Sequence, residues 1–144
     1  VQELAMFKTM SLIKKVESET LVIGADTIVV FDTEILGKPT DRENAIQMLS
    51  KLSGKMHSVY TGICVARSDD GKAVATSVKT DVYFRELSNE EIEYYVDNYK
   101  PFDKAGSYGI QEYAGVFVER IDGDYFNIVG LPVCKLNEII KIEF

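Results

Sequence analysis

The sequence predicts an α/β domain with helices flanking a sheet, and three observations carry that prediction. Helix-period and strand-like segments interleave from one end of the chain to the other. One of the strand-like segments, Leu21 to Phe31, is apolar in nearly every position, as in a strand covered on both faces. The chain has 144 residues, 46% hydrophobic and 27% charged, which is the size and balance of one globular domain able to bury a core.

The elements follow in order. Val1 to Val16 carries apolar residues at close to a helical period and reads as an amphipathic helix. Its lysine Lys8 lies among apolar neighbours, so it either snorkels or points into a site. Glu17 to Glu19 is a turn, and Thr20 to Phe31 is the central strand, bent near Gly24. Asp32 and Thr33 turn the chain into a short strand, Glu34 to Leu36. Thr40-Asp41-Arg42-Glu43 reads as a capping box with Thr40 as N-cap. The helix it opens runs to Leu52, and Gly54 ends it.

Lys55 to Arg67 alternates, with His57, Val59, Thr61, Ile63 and Val65 on one face. Ser68 to Gly71 is a hairpin turn signal. Lys72 to Leu87 returns as the antiparallel partner. Ser88-Asn89-Glu90-Glu91 is a second capping box, opening a helix whose inner face is Ile92, Tyr95, Val96 and Tyr99. Pro101 bars its continuation. The loop from Phe102 to Gln111 then gathers an acid, a lysine, two glycines, a hydroxyl and an amide, which is the content of a functional loop. Gly115 to Ile121 reads as a strand and Tyr125 to Val129 as its hairpin partner. Pro132 opens a last helix, Val133 to Lys141, with Val133, Leu136, Ile139 and Ile140 facing the core.

The balance of charge excludes some functions. A net charge of −7 argues against a duplex nucleic-acid surface, which needs a basic face. No apolar run reaches the length of a membrane span, and no signal peptide pattern opens the chain. Cys64 and Cys134 both lie in apolar sequence and read as buried thiols, which suits a reducing cytoplasm. One histidine and two scattered cysteines cannot build a zinc cage, so any metal is a hard, oxygen-ligated ion such as magnesium or manganese.

Asp26 stands alone inside the apolar strand Leu21 to Phe31. An ionised carboxylate there is costly unless it is paired, hydrogen-bonded or metal-bound. Gly24 and Ala25 leave room beside it for a ligand or another backbone. Further on, Gly37-Lys38-Pro39 sets a cation in a turn. A strand carboxylate and a loop lysine suit a metal-bound phosphate ester, while a paired structural acid and a solvated lysine are the alternative reading. His57 reads as structural or exposed. Tyr94, Tyr95 and Tyr99 read as core and interface residues, and Tyr108 as the best candidate for stacking on a base.

Five separated segments resemble the Maf family, nucleoside triphosphate pyrophosphatases once called septum formation inhibitors. They are GADTIVVFD from Gly24, LGKP from Leu36, AIQMLSKLSGKMHSVYTG from Ala45, PFDKAGSYGIQ from Pro101 and GDYFNIVGLP from Gly123. The resemblance implies a mixed, twisted sheet flanked by helices, like the inosine triphosphatases. It implies hydrolysis of a nucleoside triphosphate to the monophosphate and pyrophosphate with a divalent metal, and at family level a homodimer. Thr27 directly after the acid, and the DKAGSYGIQ loop, resemble the branch acting on dTTP and UTP. The branch acting on 7-methyl-GTP usually has Ser-Asp-Gln at the acid.

By position, the resemblance makes Asp26 the proton acceptor. The other role open to it is metal ligand, and one carboxylate cannot be both a tight ligand and a strong base. It gives Thr27 and Gln111 to base specificity, Lys8 and Lys38 to the phosphates, and Asp103 and Lys104 to a loop closing the pocket. Family members begin with a short strand, a Ser-x-x-Arg-Arg loop and an Asp-Glu pair. None of these is in the sequence, so the resemblance implies a single Maf-like domain lacking roughly 40 N-terminal residues, and the whole domain would also sit nearer the usual domain size. A phosphatase with an aspartyl nucleophile needs a second acid two positions after the first, and Ile28 stands there. A non-catalytic nucleotide- or protein-binding regulator of septum formation is the alternative to an enzyme.

Overall fold

A computed structural model describes residues 1–144. Five strands form one sheet in the order β2-β1-β3-β4-β5. They are β1 (Leu21–Phe31), β2 (Glu34–Leu36), β3 (Met56–Arg67), β4 (Ala73–Phe84) and β5 (Val118–Asp122). The helices are α1 (Gln2–Ile13), α2 (Arg42–Leu52), α3 (Asn89–Tyr99), α4 (Tyr125–Val129) and α5 (Val133–Glu143). The α/β class with flanking helices is as expected, and the sheet is antiparallel. No helix is long and apolar enough to cross a membrane.

The chain gathers into two compact units. The first is Val1–Thr27, Tyr60–Lys79 and Asp124–Phe144, and the second is Ile28–Val59 and Thr80–Gly123. In the first, Ile13 of α1 packs with Val22, Ala66 and Ala73. Leu136 and Ile139 of α5 pack with Ile63, Val65 and Ala25. Side chains alternate across a strand, so β3 is covered on both faces. That is why Ile63 to Ala66 are all buried instead of alternating.

In the second unit, α2 and α3 lie together, bridged by Arg42 donating to both carboxylate oxygens of Asp97 at 2.6 and 3.0 Å. An aromatic cluster of His57, Phe84, Tyr108, Phe117 and Tyr95 fills its core. The Ser88 capping box forms as expected, with both reciprocal hydrogen bonds present.

Several expectations are corrected. The N-cap of α2 is Asp41, not Thr40. The extended Asp41 accepts from the Asn44 amide at 2.8 Å, while the Asn44 side chain accepts from the amide of Thr40, before the cap, at 3.0 Å, so the cap sits one residue later and the reciprocal box does not form. The strand expected from Gly115 begins only at Val118, because Tyr113–Phe117 winds into a 3₁₀ turn that buries Phe117. Tyr125–Val129 is a helix, not a strand. Asp124 caps it by accepting from the Phe126 amide at 2.8 Å, and Gly130 closes it with a φ of 116°. In α5, Val133 is exposed, while Leu136 and Ile139 are buried. Cys64 is buried and Cys134 is exposed, and both are free.

Candidate active site

The first unit holds Lys8, Asp26 and Thr27. Two glycines set this up. A Cβ on Gly24 would stand 2.8 Å from the Ala5 carbonyl oxygen and 2.3 Å from Thr9 Oγ1. One on Gly62 would stand 2.5 Å from the Val1 carbonyl carbon. Helix α1 therefore lies directly on the strands, and the room left by Gly24 is taken by a helix backbone. This close approach carries Lys8, one residue before the buried Thr9, to Asp26. Lys8 Nζ lies 2.7 Å from Asp26 Oδ1 and also reaches the Ala25 carbonyl at 3.4 Å. The Asp26 side chain is 16% exposed and that of Lys8 52%, so the acid is recessed and its cation stands at the rim. Lys8 thus pairs with the strand acid while half of its side chain stays in solvent.

Thr27 follows Asp26 on the strand, so its side chain leaves the opposite face. Its hydroxyl lies 2.8 Å from that of Thr61 on β3. Thr61 in turn donates to the backbone carbonyl of Asn127 in α4 at 2.8 Å. That carbonyl also accepts from the Gly130 amide at 3.1 Å, at the point where α4 ends.

The second unit holds Lys38, Asp103, Lys104 and Gln111. The Gly106 amide donates to the Gly37 carbonyl at 3.1 Å, which ties the 102–111 loop to the Gly-Lys-Pro turn. Gly106 has a φ of 72° and rests against Val29, where a Cβ would come within 3.1 Å. Lys104 Nζ sits 3.0 Å from both Asp103 Oδ1 and Glu112 Oε1. Glu112, then Asp103, raise the lysine above its ordinary range. Asp103 is held below the usual carboxylate range by its hydrogen bond from Lys104, with a smaller contribution from the charge of Lys38. Gln111 is exposed.

Sequence reasoning passed over Glu112 and treated Tyr95 only as a core and interface residue. The Tyr95 hydroxyl donates to Glu112 Oε2 at 3.1 Å and accepts from the Gly109 amide at 3.1 Å. Burial raises the Tyr95 phenol well above its ordinary range, so it stays protonated. The stem of Lys104 crosses Gly109, where a Cβ would come within 2.8 Å of it. The loop is thus anchored on both sides of Gln111. Glu112 adjoins Gln111 in the loop already singled out, and that adjacency was the one available signal.

Tyr108 is corrected as a stacking candidate. It is 6% exposed, its hydroxyl pairs with His57 Nε2 at 2.7 Å, and its ring packs edge-on against Phe84. His57 is structural, as expected, and burial lowers it to about 4. No three His, Cys, Asp or Glu side chains come together to hold a metal ion. The lone carboxylate of Asp26 still fits magnesium, which takes one or two carboxylates and completes its shell with substrate phosphates and water.

The family model for Maf-like protein matches residues 1–142. The dTTP/UTP pyrophosphatase of Thermoanaerobacter sp. is 49% identical over 144 residues, covering the whole chain and 75% of that protein. The protein of the same name from Caldanaerobacter subterraneus is 48% identical over 144 residues, covering the whole chain and 70% of its own length. That of Thermotoga maritima is 52% identical over 134 residues, with 92% of this chain and 65% of its own covered.

Proposed function

The chain belongs to the Maf family, and from that premise we propose that it hydrolyses dTTP and UTP to the nucleoside monophosphate and pyrophosphate. The observation that carries the reading is the recessed carboxylate of Asp26 on an apolar strand, paired with Lys8 at 2.7 Å. In the proposed reaction, water attacks the α-phosphorus. A new P–O bond forms, the bond to the α,β-bridging oxygen breaks, and pyrophosphate leaves.

Asp26 orients that water and takes its proton. Lys8 holds the carboxylate in place and presents a cation beside it for a phosphate oxygen. The alternative role of Asp26 is to hold a magnesium or manganese ion, which would supply charge neutralisation of the triphosphate, since one carboxylate cannot be both a tight metal ligand and a strong base. Lys38 and Lys104 are proposed as phosphate contacts and Asp103 as the partner that orients Lys104. Thr27 and Gln111 are proposed to contact the base. Gln111 offers both a donor and an acceptor, as a pyrimidine edge requires. A cytoplasmic location and a homodimer belong to the same proposal.

The test is pyrophosphate release from a panel of nucleoside triphosphates with magnesium or manganese. It is run on the chain as it stands and joined to the N-terminal segment that the resemblance implies, each with Asp26→Asn beside it. Release from dTTP and UTP that is lost in the Asn variant supports the reaction and the role of Asp26. The amide is no base and, being uncharged, is a much weaker metal ligand. Lost release with magnesium-dependent nucleotide affinity unchanged in that variant therefore assigns Asp26 to proton transfer, and weakened magnesium-dependent affinity assigns it to the metal. No release from any triphosphate by any form refutes the hydrolase in favour of a binding regulator of septum formation.

A further inference from the structure

The three oxygens behind Thr27 leave one arrangement of protons. Thr61 Oγ1 lies 2.8 Å from the Asn127 carbonyl oxygen and 2.8 Å from Thr27 Oγ1. A carbonyl carries no proton, so the first contact is a hydrogen bond only when Thr61 donates. A hydroxyl has one proton, and that of Thr61 is then committed. The second contact is a hydrogen bond only when Thr27 donates to Thr61. Thr61 is wholly buried, so no water competes for its proton. The helix-end carbonyl of Asn127 accepts from Thr61 beside the Gly130 amide. Thr27 is half-buried and spends its only proton inward. Toward anything bound in front of it, it offers lone pairs alone.

We propose that Thr61 is a specificity-determining positioning residue: it takes the proton of the Thr27 hydroxyl and so turns Thr27 into a pure acceptor for the N3–H of a uracil or thymine base. The proposal rests on the reading of Thr27 as a base contact. The pairing edge of uracil and thymine carries two acceptors, O2 and O4, and a single donor, N3–H. An acceptor-only hydroxyl can bond that edge at N3–H alone. Cytosine presents a lone pair at N3 and its only donor at the N4 amino group, so a cytosine held where uracil sits faces the same hydroxyl acceptor to acceptor, and reaching N4–H requires the base to shift. A site whose polar group is left unpaired by the wrong substrate discriminates strongly. A threonine free to turn its proton would serve both bases and discriminate between neither.

The experiment compares kcat/KM for UTP and CTP in the active protein and in three variants. Thr61→Val keeps the shape, leaves the Asn127 carbonyl bonded to the Gly130 amide, and frees the Thr27 proton. It is expected to lower the UTP-to-CTP ratio about tenfold, the size of one hydrogen bond mismatch. Thr61→Ser keeps the hydroxyl and is expected to keep the ratio. Thr27→Val is expected to lower the ratio as well.

A ratio lowered by Thr27→Val and unchanged by Thr61→Val overturns the proposal and leaves Thr27 as a base contact. A ratio unchanged by Thr27→Val overturns the base contact itself, and the proposal with it. A sugar contact by Thr27 gives that second result, with both nucleotides weakened alike. The unaltered protein supplies a reading that needs no variant. UTP methylated at N3 has no donor there, and its kcat/KM is expected to fall at least about tenfold below that of UTP. Equal hydrolysis of the two refutes the N3–H contact.

Discussion

Gly24→Ala is the substitution on which the placement of Asp26 and Lys8 can be tested most directly. The added Cβ would meet Thr9 Oγ1 at 2.3 Å, the Ala5 carbonyl oxygen at 2.8 Å and the Thr9 amide nitrogen at 3.2 Å. Non-bonded heavy atoms settle at about 3.5 Å, so the relief needed is roughly 1 Å at the hydroxyl and somewhat over half that at the carbonyl. Thr9 cannot simply turn aside. It is wholly buried, and its hydroxyl already donates to the Ala5 carbonyl at 2.8 Å. The helix itself must withdraw.

Overpacking of this kind costs about 1–3 kcal/mol, and replacing glycine returns roughly 0.5 kcal/mol by restricting the unfolded chain. A net loss of about 1.5 kcal/mol is expected, or a fall in Tm of about 5 °C for a domain of this size. The withdrawal also moves Lys8 off Asp26, so kcat/KM for UTP is expected to drop about tenfold or more, as small misplacements at reacting groups do. The assays are urea denaturation and pyrophosphate release. Adding Thr9→Ala removes the shortest contact but not the carbonyl behind it, so it is expected to restore only part of the stability. A Gly24→Ala variant as stable as the parent, or one fully restored by Thr9→Ala, refutes the claim that α1 lies against the backbone of β1 at this point.

His57, the only histidine in the sequence, gives a pH prediction. Burial lowers it from 6.5 to about 4, against a smaller opposing pull from Asp81. Between those values the unfolded chain binds the proton and the folded chain does not, so stability rises with pH there. It is expected to fall by about 3 kcal/mol as pH drops from about 6.5 toward 4, read from urea midpoints. An imidazole resonance that titrates near 6.5 in the folded protein would refute it. Glu112→Gln removes the carboxylate that holds Lys104 and is expected to raise KM for UTP roughly several-fold with kcat less affected. An unchanged KM excludes Glu112 as the holder of a substrate-binding lysine. Tyr95→Phe leaves the Gly109 amide without its acceptor and is expected to cost about 1–2 kcal/mol in the urea midpoint. A neutral effect would mean that the phenol does not anchor the loop.

What was legible in the sequence was what short segments decide. The capping box at Ser88 needs only residues within one turn, and it forms as read. The turn at Gly71, with a φ of 70°, is of the same kind. The misread elements are those in which composition and length point different ways. Tyr125–Val129 is aromatic and β-branched like a strand, yet five residues are too few to display a helical period. A cap at Asp124 and a left-handed Gly130 decided it. The Asp41 cap displaced Thr40 because two adjacent residues could both serve, and side-chain geometry chose between them. Tyr108 carries the same aromatic signal whether it stacks on a ligand or fills a core. Only its contact with His57 separates the two. The partners of the site residues lie far apart in the chain: Lys8 and Asp26 are 18 residues apart, Thr27 and Thr61 34, and Thr61 and Asn127 66. No periodicity reports such distances.

Sequence reasoning left Asp26 between a structural acid and a working one, and the geometry of its partner bears on that choice. A structural pair offsets the desolvation of a recessed carboxylate only when the partner is buried with it and the remaining lone pairs are satisfied. Here the carboxylate is 16% exposed and its lysine 52%, with one oxygen of the acid engaged. A cation that open to water is worth about 0–1 kcal/mol to folding. An apolar residue at position 26 would continue the strand pattern of Val22 and Gly24 beneath α1 without leaving a recessed charge to be matched. The fold therefore gains little from this acid, and the pair makes better sense as a charge held ready beside a cation that a phosphate can share.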